Sequence, residues 1–220
     1  MGLIKTWREY SRISNLGEIV RRKFFNNCFD GALTCSGIIS GMFILFLANP
    51  DWLVPRNIVI TGFATAFAIG ISGLWGAFLS EEAERKKKML DLKKEMVIVD
   101  DKVTGELQEK KINNKKQKKK EKKKKDSIIE KSENFATIVA SLVDGGAPVL
   151  GASLPLIPFF FGEELTFAHF ICSYVILIAL LIYLGIFLGK ISGGGRLRYA
   201  LHLVAAGVVT LIISLFLGQF

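Results

Sequence analysis

Charge is nearly absent from two long stretches of this chain. Residues 29–79 and 135–220 hold few acidic or basic side chains, although the 220 residues carry 29 Lys and Arg and 20 Asp and Glu in all. That segregation excludes an ordinary soluble core as the home of the apolar half and calls for a bilayer. Cysteine is scarce as well. Cys28, Cys35 and Cys172 are odd in number and sit in or beside apolar runs. A thiol there serves as a small hydrophobe and says nothing about redox compartment. A secretory leader is not expected, because the first apolar run begins near Phe29, after a basic polar stretch. Met1-Gly2-Leu3-Ile4-Lys5-Thr6 fits the bare N-myristoylation pattern, but helices that already span the bilayer gain little from a lipid. Gly193-Gly194-Gly195 is not followed by Gly-Lys-Ser/Thr, which excludes a phosphate loop.

What is present reads as an all-α integral membrane protein with five transmembrane helices. A spanning helix needs roughly 20 mostly apolar residues, and irregular backbone facing lipid is excluded by the cost of unpaired amides. Residues 1–27 place Leu3, Trp7, Tyr10, Ile13, Leu16, Val20 and Phe24 at helical spacing, as in an amphipathic helix lying on a leaflet. Residues 28–79 hold the first two spans, 30–48 and 57–79, separated by Asn49-Pro50-Asp51. Residues 80–134 form a charged, helical, Lys-rich insertion, and residues 135–220 hold the last three spans. The third, at 135–161, carries Pro148, Pro155 and Pro158 and is expected to be kinked or partly unwound. The fourth spans 166–189, and the fifth runs from 197 to the end.

Orientation follows from Lys and Arg. Six precede the first span (Lys5, Arg8, Arg12, Arg21, Arg22, Lys23), 19 lie between Glu81 and Glu133, and three lie between the fourth and fifth spans (Lys190, Arg196, Arg198). The opposite side has only Arg56, with Asp51, Glu163 and Glu164. The N-terminus and the Lys-rich insertion are expected in the cytoplasm and the C-terminus outside. In a prokaryote the membrane would be the plasma membrane. Small residues recur four apart, at Gly37 and Gly41, Ala66 and Gly70, and Gly73 and Ala77, a spacing that lets helices approach closely.

Two acids lie inside the apolar runs, Asp30 in Phe29-Asp30-Gly31-Ala32 and Asp144 in Val143-Asp144-Gly145-Gly146-Ala147. Buried charge is costly in a membrane and is usually kept for an ion path or a cavity. Carboxylate oxygen suits divalent cations. Both acids fall toward the cytoplasmic half, with Asp144 expected to be the deeper. Thr34, four residues after Asp30, shares its face. The bland alternatives are an N-cap for Asp30 and packing for Cys35 and Met42. His202 has a ligand or proton-carrying role open to it, but a structural role is the more economical for it and for His169.

If the second span continues as a helix, Glu81, Glu84, Asp91 and Glu95 fall within about 80° of one another on a wheel. Such a stripe could gather metal at the mouth of a path, or be an ordinary salt-bridged solvated face. Lys110 to Lys125 then holds eleven lysines and one glutamate, with no aromatic residue. Anionic lipid headgroups are the expected partner. Nucleic acid is not, since nothing there stacks on bases.

In this order and spacing the parts resemble the vacuolar iron transporter (VIT) family, as a divergent member. The resemblance rests on five spans and on Asp30-Gly31. It rests also on Ile71-Ser72-Gly73-Leu74-Trp75-Gly76-Ala77-Phe78-Leu79-Ser80 running into Glu81, Glu82 and Glu84, and on Gly151-Ala152-Ser153-Leu154-Pro155-Leu156-Ile157-Pro158-Phe159. It implies a homodimer with an ion path between subunits, lined by Asp30, and proton-coupled export of ferrous iron or manganese from the cytosol. Glu84, with Glu81 nearby, would match the family's cytoplasmic metal-binding glutamates. Gly73 stands where the family has a pathway methionine, and Asp144 has no counterpart in the family pattern. The expected function is therefore divalent metal transport by proton antiport, without enzymatic activity and without a permanently bound cofactor. The metal sites would be Asp30, Glu81, Glu84, Asp91 and Glu95, and the ion path Asp30, Asp144 and Thr34. The alternative is a non-transporting membrane scaffold whose Lys-rich loop binds lipid or a partner. A phosphatidyl-transferase is disfavoured because Asp30-Gly31-Ala32-Leu33-Thr34-Cys35 lacks the arginine and the second acid that such enzymes need.

Overall fold

The computed structural model describes residues 11–12, 15–103 and 112–217, apart from the side chains of 85, 88–89, 92–103 and 112–130. Among the described residues there is no strand. Helix α1 spans Leu16–Ala48 and is followed by a 3-10 turn at Pro50–Trp52; α2 spans Pro55–Val103. Helix α3 spans Ile112–Leu156 and tightens to a 3-10 turn over Ile157–Phe160, followed by α4 at Phe167–Ser192 and α5 at Arg196–Leu217. Five segments are long and apolar enough to cross a bilayer: Leu16–Ala48, Pro55–Glu84, Lys131–Phe160, Phe167–Ser192 and Arg196–Leu217. The protein is a multi-pass, all-helical integral membrane protein.

The chain divides into two compact units, Met1–Val20 with Trp75–Ser141 and Arg21–Leu74 with Leu142–Phe220. In the first, Lys86 pairs with Glu82 one turn earlier at 2.7 Å, and Thr137 donates to the Glu133 carbonyl at 3.0 Å. The second contains the packed core.

In that core α1 is central. Ile39 and Phe46 of α1 share a buried cluster with Ile58 and Ala66 of α2, Ala152 and Leu156 of α3, and Phe170 of α4. Phe46 meets Phe170 at a centroid distance of 5.4 Å, while Phe25, two-thirds of the helix away, stacks on Phe187 at 4.2 Å. Helices α1 and α4 therefore run antiparallel. Of the spanning windows, half of the third is buried but only 11% of the fifth, so α3 lies inside and α5 presents an apolar surface such as Leu201, Ile213 and Phe216 outward. The hairpin between α4 and α5 turns at Gly193, whose φ of 67° is left-handed. At the other end of α4, Thr166 and His169 form a reciprocal cap. His169 Nδ1 accepts from the Thr166 backbone N–H at 3.2 Å, and Nε2 donates to the Phe161 carbonyl at 2.6 Å. His169 has the structural role.

One expectation needs correction. Residues 16–27 belong to the same helix as the first span, so Asp30 lies fourteen residues into α1 rather than capping its start; residues 1–10 and 13–14 of the expected surface helix lie outside the described residues. The third span is not interrupted at Pro148 or Pro155, both of which are inside α3, and only the last turn tightens. Proline within a membrane helix is tolerated where neighbours pack against it and meet the freed groups. The carbonyl that Pro155 frees is that of Gly151; the Pro155 carbonyl itself accepts from Ser173 Oγ at 2.6 Å, and Pro148 lies against a helix that has no side chain at the point of contact.

That point is Gly31. A Cβ there would run into the Pro148 main chain, and a Cβ on Gly151 would run into that of Cys28. The α1 and α3 backbones therefore touch across two reciprocal glycine contacts, which only small residues permit. Gly31→Ala should lower the stability of the purified protein by about 1–3 kcal/mol, since neither backbone can yield. Gly41→Ala, on the same helix with nothing within 4 Å, should be neutral or stabilising by up to about 1 kcal/mol. Thermal unfolding in detergent measures both; a Gly31→Ala variant as stable as the parent would contradict the close approach.

Candidate functional site

Lys23, Asn27, Asp30 and Thr34 are spaced by four, three and four residues on α1. At about 100° per residue they form one polar stripe along the helix. Helix α3 offers Asp144 to that stripe. Lys23 Nζ pairs with Asp144 Oδ2 at 2.5 Å, and Asn27 Nδ2 donates to Oδ1 at 2.7 Å. Both carboxylate oxygens are thus held. Asp144 is 8% exposed, and an unpaired carboxylate at such a place would be strongly disfavoured.

Asp30 differs. It is exposed, and among the described residues its carboxylate has no hydrogen bond or ion pair. Thr34 does not serve it, because the Thr34 hydroxyl donates to the Asp30 main-chain carbonyl at 2.9 Å, the usual back-bond of a helical threonine. Asp30 and Asp144 nevertheless line one cleft of about 490 Å³, together with Asn27, Ser72, Gly73 and Pro148.

Glycine brings the third wall close. A Cβ on Gly73 would lie 2.8 Å from the Asp144 carbonyl oxygen, and one on Gly70 would lie 2.6 Å from that of Gly145. A methionine at position 73 could not be accommodated without moving α3. Pro148 has no N–H, so the Asp144 carbonyl also lacks its usual helical donor four residues on. Asp144 therefore brings a carboxylate and a carbonyl with no i+4 partner to the same region.

The order along α1 is the reverse of that expected. Asp144 engages Asn27 and Lys23, roughly one and two turns N-terminal to Asp30 by helical spacing. It therefore lies toward the start of α1 and not farther along it. The expectation placed Asp30 at the opening of its helix, and the true start at Leu16 moves Asp30 inward.

Glu81, Glu84 and Asp91 lie on α2 in the other compact unit, Glu81 half-buried and the other two exposed; the side chain of Glu95 lies outside the described residues. The neighbouring Glu82–Lys86 pair is the ordinary salt-bridged spacing. Among the described residues no three His, Cys, Asp or Glu side chains are grouped to hold a metal ion. Cys35 is buried in the main core and Met42 packs against it, while His202 is exposed and not part of the cleft. Lys23 and Asn27 are the participants that sequence reasoning missed. Their spacing from Asp30 was the available signal, but Lys23 counted only as one of the basic residues before the first span.

Residues 22–219 match the VIT family. The chain belongs to the VIT family. A relative from Methanocaldococcus jannaschii, itself an uncharacterised protein, is 27% identical over 197 residues, covering 90% of this chain and 87% of the relative. Membership of the VIT family points to metal-ion transport across a membrane.

Within this VIT-family chain the ion pair should behave asymmetrically on mutation. The Lys23 side chain is 26% exposed and that of Asp144 11%, so an orphaned ammonium reaches water more readily than an orphaned carboxylate. Lys23→Met should cost about 2–4 kcal/mol of stability, Asp144→Asn clearly less, and the double variant should recover most of the loss. Additive losses in a thermal-unfolding cycle would show that the two side chains do not interact.

Proposed function

We propose that the protein exports a divalent metal cation, ferrous iron or manganese, from the cytosol by proton antiport, through the cleft between Asp30 and Asp144. The observation that carries this reading is the Asp30 carboxylate, without a partner among the described residues, in a cleft among membrane-spanning helices that a second, compensated acid also lines. An exposed carboxylate with no partner lowers the cost of stripping water from a divalent ion. Two acids rather than a three-ligand cage suit a path that must release what it binds. The charge asymmetry of the loops supports a cytoplasmic N-terminus, an external C-terminus and entry from the cytosol. The family supports a homodimer, and the lysine run supports contact with anionic lipid. Glu81, Glu84, Asp91 and Glu95 remain candidates for collecting metal ahead of the cleft.

The scaffold reading draws support from the Lys23–Asp144 pair, because a compensated acid needs no ion to justify it. Among the described residues Asp30 has no such compensation, and a scaffold gains nothing from it.

Proteoliposomes test the choice. Reconstituted protein should move Fe²⁺ or Mn²⁺ in preference to Ca²⁺, with protons moving the other way. Asp30→Asn, which keeps size and hydrogen bonding, should lower the flux about tenfold or more, the effect of losing on the order of 1.4 kcal/mol of ion stabilisation. Undiminished flux in a folded Asp30→Asn protein would remove the proposed mechanism, and absence of metal flux in the parent protein would favour the scaffold.

A further inference from the structure

We propose that Lys23 is the resident cation of the cleft: its ammonium competes with the transported divalent ion for Asp144 and so sets how tightly the site holds its cargo. This rests on reading the cleft as the ion path. The geometry separates a fixed partner from a movable one. Asp144 is anchored in α3, with one oxygen held by Asn27 and the backbone pressed on Gly73. Lys23 reaches the other oxygen from α1 on a flexible four-carbon stem, and a quarter of its side chain already meets solvent. An ammonium is a compact charge that makes no fixed fork with a carboxylate, so it is displaced more readily than a guanidinium.

Charge balance gives the direction. Two carboxylates line the cleft and the Lys23 ammonium pairs with one of them, leaving one net negative charge. A divalent ion entering beside Asp30 would make the group positive while Lys23 stays in place. It would leave the group neutral once Lys23 withdraws. Two cations on one carboxylate repel strongly where water is partly excluded, so the incoming ion and the ammonium exclude one another at Asp144. Lys23 thereby keeps the second acid affordable to bury, and it weakens the final metal complex enough for release.

Mn²⁺ binding to the purified full chain in detergent, followed by electron paramagnetic resonance titration, tests this. Lys23→Gln, which can still donate to Asp144, should bind Mn²⁺ about tenfold more tightly than the parent. Lys23→Arg, which keeps the charge and grips the carboxylate in a fork, should bind more weakly. Arg22→Gln, an exposed neutralisation next door, should leave affinity unchanged. The decisive comparison is in the Asp144→Asn background, where Lys23→Gln should bring no gain. A gain that persists there would mean a diffuse charge effect and would overturn the proposal. Parental affinity in Lys23→Gln would also overturn it, as would parental affinity in Lys23→Arg if the glutamine variant does not fold. Asp30→Asn separates the two levels of the argument. Unchanged Mn²⁺ binding in that variant removes the ion-path reading itself, whereas weakened binding together with an inert Lys23 removes only the role given to lysine.

Discussion

A carboxylate buried among spanning helices is kept only where it is compensated or used, and for Asp144 the compensating charge comes from a different helix. The Lys23–Asp144 pair joins α1 to α3, with Lys23 about two turns of α1 before the place where their backbones are already in contact through Gly31 and Pro148. Other features follow from that contact. Glycine at 31 and 151 brings the helices close enough for a lysine stem to reach across. Glycine at 70 and 73 lets α2 close the third side. Asn27 fills the remaining carboxylate oxygen, which leaves Asp30 as the acid in the cleft without a partner among the described residues.

This arrangement reconciles two demands. A membrane protein keeps buried charge only if it is compensated or used, and an ion path must bind its cargo without trapping it. One compensated acid beside one open acid answers both. Asp144 is no liability at that place, since it arrives with its own counter-charge.

Much of the fold was legible because lipid imposes a single rule on long apolar runs. The five spans, the unbroken passage of α2 from Leu79 into Glu81, and the close approach at Gly70 and Gly73 follow from length, the lack of a breaker and small-residue spacing. The start of α1 was not legible. Arg21, Arg22 and Lys23 looked like the end of a surface segment, yet helix hydrogen bonding continues through charged residues, and Lys23 turns inward to an acid 121 positions away. The surroundings of Pro148 were not legible either, because Gly31 was not recognisable as its neighbour. Of the site, Asp30 and Asp144 were recognisable as intramembrane acids. Their order was not, because the depth of a residue depends on which residue of another helix it meets. Thr34 sits on the expected face, but its hydroxyl is turned to the helix backbone.

The central claim, that the two acids of the cleft serve one cation in turn with Lys23, is tested most directly by anomalous diffraction from crystals of the protein soaked in Mn²⁺. The account predicts an anomalous peak within coordination reach of the Asp30 carboxylate, at roughly 2.0–2.6 Å as for a hard divalent ion on oxygen, with Lys23 Nζ withdrawn from Asp144. A peak remote from Asp30, or one at Asp30 with the Lys23–Asp144 pair intact, would contradict it.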